Sequence, residues 1–222
     1  MIPLRDTRPS NSPPVINIFL IAINVLVFLY MLSLDPYSQN EFVRQYAVVP
    51  ARLHLSSLLT SQFLHGGWMH LIGNMWFLWI YGDNVEDVLG HEKYLVFYLL
   101  CGVVAGLGQY AISPDSRIPM LGASGAIAGV MGAYMIKFPH NRIVTLLPLF
   151  IFWTTIEIPA VLILAYWFIL QFFSGVGSIG YSQSSHGGVA FFAHIGGFIA
   201  GMILISFIGT KQRYSRRSDL NW

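Results

Sequence analysis

The sequence predicts an all-α membrane protein, a bundle of six spanning helices with both termini on the cytoplasmic side (N-in, C-in). Three observations support this fold class: the composition, the lengths of the apolar runs, and the placement of the cations. Of the 222 residues, 55% are hydrophobic and 10% are charged, whereas an ordinary soluble domain carries roughly 25% charge. We therefore expect lipid to be the solvent for most of the chain.

The apolar runs give the number of helices. A helix that crosses a bilayer needs about 20 predominantly apolar residues. The stretches without a charged side chain are 9–34, 53–82, 94–114, 118–136 and 158–210. The last stretch is long enough for two helices, so the total is six. We expect these helices at about 15–34, 68–88, 94–112, 122–137, 157–174 and 190–209.

The same runs divide the chain. Residues 1–14 are expected to be a short cytoplasmic N-terminus, 15–209 a helical membrane domain, and 210–222 a basic cytoplasmic tail. The first apolar run is too long for a secretory signal peptide and lacks a small-x-small cleavage site, so we interpret it as a retained helix.

The cations set the orientation. With both termini inside, nine of the twelve Lys and Arg residues face the cytoplasm: Arg5, Arg8, Lys93, Lys137, Arg142, Lys211, Arg213, Arg216 and Arg217. Three remain outside, Arg44, Arg52 and Arg117. This ratio obeys the positive-inside rule, and the reverse orientation would invert it.

Three connections between the helices are unusual. The first outer loop, 35–67, is long and mostly apolar, and we expect it to rest in the membrane interface. The segment 143–156 is apolar but contains Pro148, which favours an interfacial connection over a seventh span, and Pro159 suits the first turn of the following helix. The loop 175–188 is rich in Gly and Ser and is expected to be mobile on the outer side.

Three polar side chains are predicted to lie at one depth. Polar groups inside a membrane are costly, so each requires an explanation. The second, fourth and sixth spans all run from outside to inside, and their first residues therefore share a leaflet. At a rise of 1.5 Å per residue, Asn74, Ser124 and His194 each lie roughly 10 Å below the outer surface. An amide, a hydroxyl and an imidazole could meet there.

Repeats of small residues favour close packing of the fourth and sixth spans. Ser124, Ala128 and Gly132 recur every four residues, as do Ala193, Gly197 and Gly201. This small-xxx-small pattern lets membrane helices approach backbone to backbone. Such an approach would bring His194 to the roughly 2.6–3.2 Å from Ser124 that a general base requires.

Each of these residues also has a purely structural explanation. A Ser between glycines is commonly a packing residue, a membrane His can be hydrogen-bonded within the bundle, and Asn74 can join two helices. Their coincidence at one depth favours chemistry. His91-Glu92 is not followed by the second His of a zinc protease.

An aspartyl protease would need two facing carboxylates in the membrane. Asp83, Glu86 and Asp87 cluster instead at the inner end of one helix, and Glu157 is expected near the inner end of the fifth. The sequence therefore predicts neither a metal site nor a cofactor.

Three motifs resemble those of the rhomboid intramembrane serine proteases. They are Gly-x-Ser-Gly at 122–125, Ala-His-x-x-Gly at 193–197 and His-x-x-x-Asn at 70–74, in the order typical of that family. The resemblance extends from about Leu58 to Gly201. It implies that Ser124 is a nucleophile and that His194 acts as general base and then as general acid.

The resemblance also implies an oxyanion hole. Asn74, His70 and the backbone N–H of Ser124 would form it, and Gly122 and Ala123 would supply backbone to the substrate site. The chain departs from some bacterial members at Ala128, where they carry a Tyr packed on the catalytic His. The sequence therefore leaves open what orients the imidazole.

The implied substrates are single-span membrane proteins that enter sideways between the second and fifth helices and are cleaved through an acyl-enzyme. The resemblance implies no cofactor and no nucleic-acid partner, and it indicates a bacterial inner membrane. The alternative is a non-catalytic rhomboid-like protein that binds transmembrane segments without cutting them. The presence of both Ser124 and His194 favours catalysis. The physiological substrate and the oligomeric state remain open.

Overall fold

A computed structural model describes residues 1–149, 152–178 and 190–209. Besides two 3₁₀ turns, at Pro50–Arg52 and Ser61–Phe63, these residues form eight α-helices and three strands. In chain order they are β1 (Ile2–Asp6), α1 (Val15–Ser33), α2 (Pro36–Tyr46), α3 (Ser57–Thr60), α4 (Trp68–Leu89), α5 (His91–Ile112), α6 (Ser124–Lys137), β2 (Arg142–Leu149), β3 (Phe152–Pro159), α7 (Ala160–Ser178) and α8 (Phe191–Phe207). Each of the six predicted helices is present, and the additional elements lie between them or before the first.

Three helices in the described part of the chain are long and apolar enough to cross a membrane: α1, α5 and α7. The helix α8 is apolar but shorter, with 17 residues. Together with the composition, these helices make the chain an integral membrane protein. The helix α6 has only 14 residues, about 21 Å at 1.5 Å per residue, which is less than the roughly 30 Å hydrocarbon core of a bilayer.

The centre of the bundle is α6. Ten of its 14 residues are buried, and it packs against α4, α5 and α8. Its contact with α8 is made through backbone, because a Cβ at Gly201 would lie 1.9 Å from the carbonyl oxygen of Gly129. The predicted close packing of this pair of helices is confirmed. Gly197 and Gly201 of the predicted α8 repeat face Gly125 and Gly129, which follow Ser124 and Ala128 of the predicted α6 repeat by one residue.

The prediction of an all-α fold is wrong in one respect, because β1, β2 and β3 form an antiparallel sheet in that order. In the hairpin of β2 and β3, Arg142 pairs with Pro159 and Leu149 with Phe152. β3 is rich in Thr, Ile and aromatic residues and β2 contains Ile143, Val144 and Thr145, all residue types that favour extended backbone. The ladder also gives the backbone N–H and C=O groups of an apolar connection the partners that they need.

This sheet corrects two expectations for residues 143–159, the place of Pro159 in the first turn of the fifth helix and that of Glu157 near its inner end. The connection is a regular hairpin, and Pro159 is the last residue of β3, so α7 begins at Ala160. Glu157 lies on β3, with its carboxylate 3.9 Å from the Arg142 guanidinium, and not on the fifth helix. At the other end of α7, residues 175–178 are helical, whereas they were expected to begin a loop.

The first outer loop folds against the bundle. The Asp35 side chain accepts hydrogen bonds from the backbone N–H groups of Tyr37 and Ser38, at 3.0 and 3.2 Å, and so begins α2. Further along, Val48 and Met120 exchange two backbone hydrogen bonds of 2.9 and 2.7 Å. The loop is thereby tied to the segment that leads into α6. The location of this loop in the membrane interface stays a prediction.

The acidic cluster at the end of α4 holds the N-terminal segment. The Glu86 carboxylate is 1% exposed and accepts hydrogen bonds from the backbone N–H groups of Ile16 and Asn17, at 2.9 and 2.8 Å. These donors belong to the first turn of α1, which has no side-chain cap of its own. The Asp87 carboxylate accepts from Asn11 and Ser12. The first turn of α1 and the last turn of α4 therefore lie at the same end of the bundle.

Two sequence predictions lie outside the described residues. They are the mobility of the loop over residues 179–189 and the basic tail 210–222.

Candidate active site

Ser124 begins α6 immediately after a bend in the backbone. Gly122 has a φ of 125°, a left-handed conformation that glycine adopts without a steric penalty. Its N–H donates to the Ser61 carbonyl at 2.9 Å, which fixes the bend to the first outer loop. The start of α6 has no side-chain cap, and the first N–H groups of a helix have no partner within the helix. Ser124 therefore lies where backbone donors are available.

His194 meets Ser124 at the start of α8. The distance from His194 Nε2 to Ser124 Oγ is 2.7 Å, which is within the range for proton transfer. The backbone contacts between α6 and α8 place these residues, because Gly197 on α8 approaches the Gly125 carbonyl as closely as the backbones allow. The structure thus brings together the two side chains that the motifs predicted to be catalytic.

Two side chains of α7 complete the surroundings of His194. Its Nδ1 lies 2.7 Å from Gln171 Oε1, and the Trp167 ring lies 5.8 Å from the imidazole, centroid to centroid, at an interplanar angle of 35°. Ala128, which is buried, offers only a methyl group. The orientation of His194, left open by the sequence, is therefore set by α7.

Sequence reasoning missed both of these residues. One signal was available, because Gln171 is the only amide in the apolar stretch 158–173. A polar side chain within a membrane helix deserves a functional explanation by default. No comparable signal marks Trp167, since an aromatic residue in such a helix is ordinary.

Asn74 and His70 lie beside the bend that precedes Ser124. A Cβ at Gly122 would be 2.7 Å from His70 Nε2 and 3.7 Å from Asn74 Nδ2. Asn74 is 8% exposed, and among the described residues its Nδ2 has no hydrogen-bond partner. Buried polar groups are nearly always paired, so this amide is an unusual, free hydrogen-bond donor beside the bend. The structure therefore brings the four predicted side chains, those of Ser124, His194, Asn74 and His70, to the one bend that Gly122 and Ala123 form.

A small cavity adjoins the same bend. Its volume is about 40 Å³, and its lining includes Ser124, Gly122, Gln62 and Ala193. A buried water needs at least roughly 10–15 Å³ of such volume and polar partners. The Gln62 Oε1 atom is buried and unpaired among the described residues. The cavity therefore has both the room and an acceptor for water next to the Ser124 hydroxyl.

Comparison with known proteins identifies the family of the fold. The sequence model described as Rhomboid domain matches residues 52–211. This range includes the serine, both histidines and the asparagine described above.

Several curated proteins are similar in sequence. The mitochondrial presenilin-associated rhomboid-like protein of Homo sapiens is 35% identical over 137 residues, which are 60% of this chain and 36% of that protein. Rhomboid protease GluP of Bacillus subtilis (strain 168) is 32% identical over 138 residues, 60% of this chain and 26% of GluP. Rhomboid-like protein 11, chloroplastic, of Arabidopsis thaliana is 26% identical over 209 residues, 89% of this chain and 70% of that protein.

The chain spans 36% of the length of the presenilin-associated rhomboid-like protein. The names of the relatives indicate mitochondria, chloroplasts and a bacterium. The comparisons therefore give no support to the bacterial inner membrane that was predicted from the sequence.

Proposed function

The chain belongs to the rhomboid family, and from that premise we propose that it is an intramembrane serine endopeptidase with Ser124 as nucleophile and His194 as base. The observation that carries the proposal is the 2.7 Å approach of His194 Nε2 to Ser124 Oγ. A nucleophile and its base within hydrogen-bond reach, with the base held by a third group, form the recurring arrangement of covalent catalysis.

We propose six spanning helices, α1, α4, α5, α6, α7 and α8, with both termini in the cytoplasm. The distribution of Lys and Arg supports this orientation. The contact of Glu86 with the first turn of α1 supports the antiparallel course of α1 and α4, because it places the start of one and the end of the other at the same end of the bundle. The 2.7 Å hydrogen bond from Lys93 to the Gly209 carbonyl likewise places the start of α5 and the end of α8 at one end. Because α6 is only about 21 Å long, ending it at the inner surface leaves Ser124 below the outer one.

In the proposed reaction, His194 Nε2 takes the proton of the Ser124 hydroxyl while Oγ attacks the carbonyl carbon of the scissile peptide bond. The tetrahedral intermediate collapses, and the imidazolium gives its proton to the departing amine. An acyl-enzyme on Ser124 remains. His194 then takes a proton from water, the resulting hydroxide attacks the ester, and Ser124 regains its proton.

The oxyanion of the tetrahedral intermediate needs donors that are already in place. Asn74 Nδ2, His70 Nε2–H and the backbone N–H of Ser124 are proposed for this role, with Gly122 and Ala123 as the backbone of the substrate site. The unpaired Asn74 amide supports the proposal, because it keeps a buried donor free for the oxyanion. Removing one such donor typically raises the barrier by about 3–4 kcal/mol.

The proposed substrate is a single-span membrane protein that enters between α4 and α7. Its helix must unwind locally, because an intact helix holds each carbonyl in its own hydrogen bonds. The second candidate function is binding of transmembrane segments without cleavage. The names of relatives that are called rhomboid-like keep this candidate open, whereas the bonded Ser124 and His194 favour cleavage.

The deciding experiment is cleavage of a single-span substrate by the purified protein in detergent. We expect turnover by the wild type, none by Ser124→Ala, and unchanged turnover by Ser206→Ala, whose hydroxyl bonds to the Met202 carbonyl on the exposed side of α8. A fluorophosphonate should label Ser124 in the wild type and fail to label it in His194→Ala. Cleavage by Ser124→Ala at the wild-type rate would refute the assignment, and binding without cleavage by the wild type would establish the second candidate.

A further inference from the structure

We propose that Gln171 is the positioning residue of the His194 base and selects the tautomer that activates Ser124. This inference rests on the proposed function and deepens it. Its basis is the 2.7 Å distance between Gln171 Oε1 and His194 Nδ1, on the side of the ring opposite to the nitrogen that faces Ser124.

The chemistry of the two partners determines the tautomer. A carbonyl oxygen accepts and cannot donate, so the proton of the neutral imidazole resides on Nδ1. The lone pair then belongs to Nε2 and points at the Ser124 hydroxyl. The same hydrogen bond persists after proton transfer, because both nitrogens of an imidazolium are donors. Gln171 therefore supports His194 through the whole reaction without exchanging a proton itself.

The spacing on α7 gives the ring a second restraint. Trp167 and Gln171 are four residues apart and so project from the same face of the helix. Trp167 lies beside the imidazole, with the two ring planes tilted by 35°, while Gln171 contacts the ring edge at Nδ1. Rotation of the ring would break one contact or the other. The base on α8 is thus fixed by α7, and the nucleophile comes from α6.

An amide suits this position better than a carboxylate would in lipid. A carboxylate beside His194 would have to be buried as an anion, which is costly without full compensation. The amide of Gln171 supplies the acceptor and orients the ring with no net charge. The inference predicts that the acceptor is essential and that a negative charge is not.

The test compares three variants of the purified protein in detergent with a single-span substrate. Gln171→Met keeps the length of the side chain and removes the acceptor. Gln171→Glu keeps the acceptor and adds a charge. Leu170→Met introduces the same residue at a neighbouring exposed position of α7 and is the matched control.

We expect Gln171→Met to lower kcat about 10- to 100-fold, a part of the 10²- to 10⁴-fold contribution of a general base, with KM changed less than about 3-fold. Gln171→Glu should recover most of the loss and move the acid limb of the kcat/KM profile to higher pH, since a carboxylate stabilises the imidazolium. Fluorophosphonate labelling of Ser124 should slow in Gln171→Met in the same proportion. Leu170→Met should match the wild type.

Two results would overturn the inference while the proposed function stands. One is a Gln171→Met protein that cleaves at the wild-type rate with the wild-type pH profile, when cleavage still requires Ser124. The other is a loss in Gln171→Met that Gln171→Glu does not restore and that appears only in KM. Equal cleavage by wild type and Ser124→Ala would instead show that the proposed function itself is wrong.

Discussion

Replacing Gly197 by Ala should separate Ser124 from His194 without touching either residue. Gly197 lies on α8, three residues after His194, where α8 meets the backbone of α6. A Cβ at Gly197 would be 2.0 Å from the Gly125 carbonyl oxygen and 3.0 Å from its carbon. Both atoms are backbone and cannot rotate away, so one helix must move.

The size of that movement follows from the geometry. A carbon atom and a carbonyl oxygen approach to about 3.3 Å at the closest, so the shortfall is about 1.3 Å. If α8 moves outward by that amount, the distance between His194 Nε2 and Ser124 Oγ grows from 2.7 Å to as much as about 4 Å. This exceeds the roughly 3.2 Å limit for a general base, and turnover should fall by about 100-fold or more. Overpacking should also cost about 1–3 kcal/mol of stability.

The assay measures substrate cleavage and the melting temperature of each variant in detergent. Gly196→Ala is the matched control, because it adds the same methyl group to the preceding residue, where the nearest atom, the Val104 carbonyl oxygen, is 3.6 Å away. That is ordinary contact, so both activity and melting temperature should stay close to wild type. The reasoning fails if Gly197→Ala is as active and as stable as Gly196→Ala.

Two further predictions concern the oxyanion donor and the N-terminal strand. Asn74→Ala should lower kcat about 10²- to 10³-fold with little change in KM, and a change confined to KM would exclude the oxyanion role. Burial raises the pKa of Asp6 from 3.8 to about 6, against a smaller lowering by the Tyr134 hydrogen bond. The native state therefore binds this proton more tightly than the unfolded chain, and the resulting stability, present below about pH 4, is lost as the pH rises through 6. Asp6→Asn should accordingly have a higher melting temperature than wild type at pH 7.5 and the same melting temperature as wild type at pH 4. An equal gain at both pH values would contradict this reasoning.

The helices of this fold were predictable because lipid imposes one requirement on length and composition. An apolar run of about 20 residues is sufficient to predict α1, α5 and α7. The predicted start of the fifth helix, at residue 157, was wrong by three residues, because the apolar run continues from the end of β3 into α7 without a change in hydrophobicity. A run of this kind does not distinguish a strand from the first turn of a helix.

The sheet was not predictable for a related reason. Its first strand, β1, pairs with residues that are far away in the chain, such as Ile2 with Leu146. A short apolar segment has no period that reveals a partner so distant. The acidic cluster likewise gave no sign of its role, since the contact of Glu86 with α1 depends on where α1 begins.

The residues of the candidate site also differ in how far the sequence could predict them. Ser124, His194, Asn74 and His70 were found from short motifs and from the depths of their helices. Gln171 and Trp167 were missed because their importance depends on the rotation of α7 about its axis. Hydrophobicity does not fix that rotation in a helix that is apolar on nearly all sides. Gln171 stood out in the sequence only as a lone amide, and its contact with the proposed base became visible only in three dimensions.

The cap that α4 provides for α1 has a consequence for how the protein is made. Glu86 follows Ile16 by 70 residues, and a ribosome needs about 4–14 s to add that many at 5–20 residues per second. We expect α1 to reach the bilayer during this interval with the N–H groups of its first turn bonded only to water or headgroups. We expect its final seat to be taken when the end of α4 arrives, so that α1, although synthesised before α4, is not fixed in place before it.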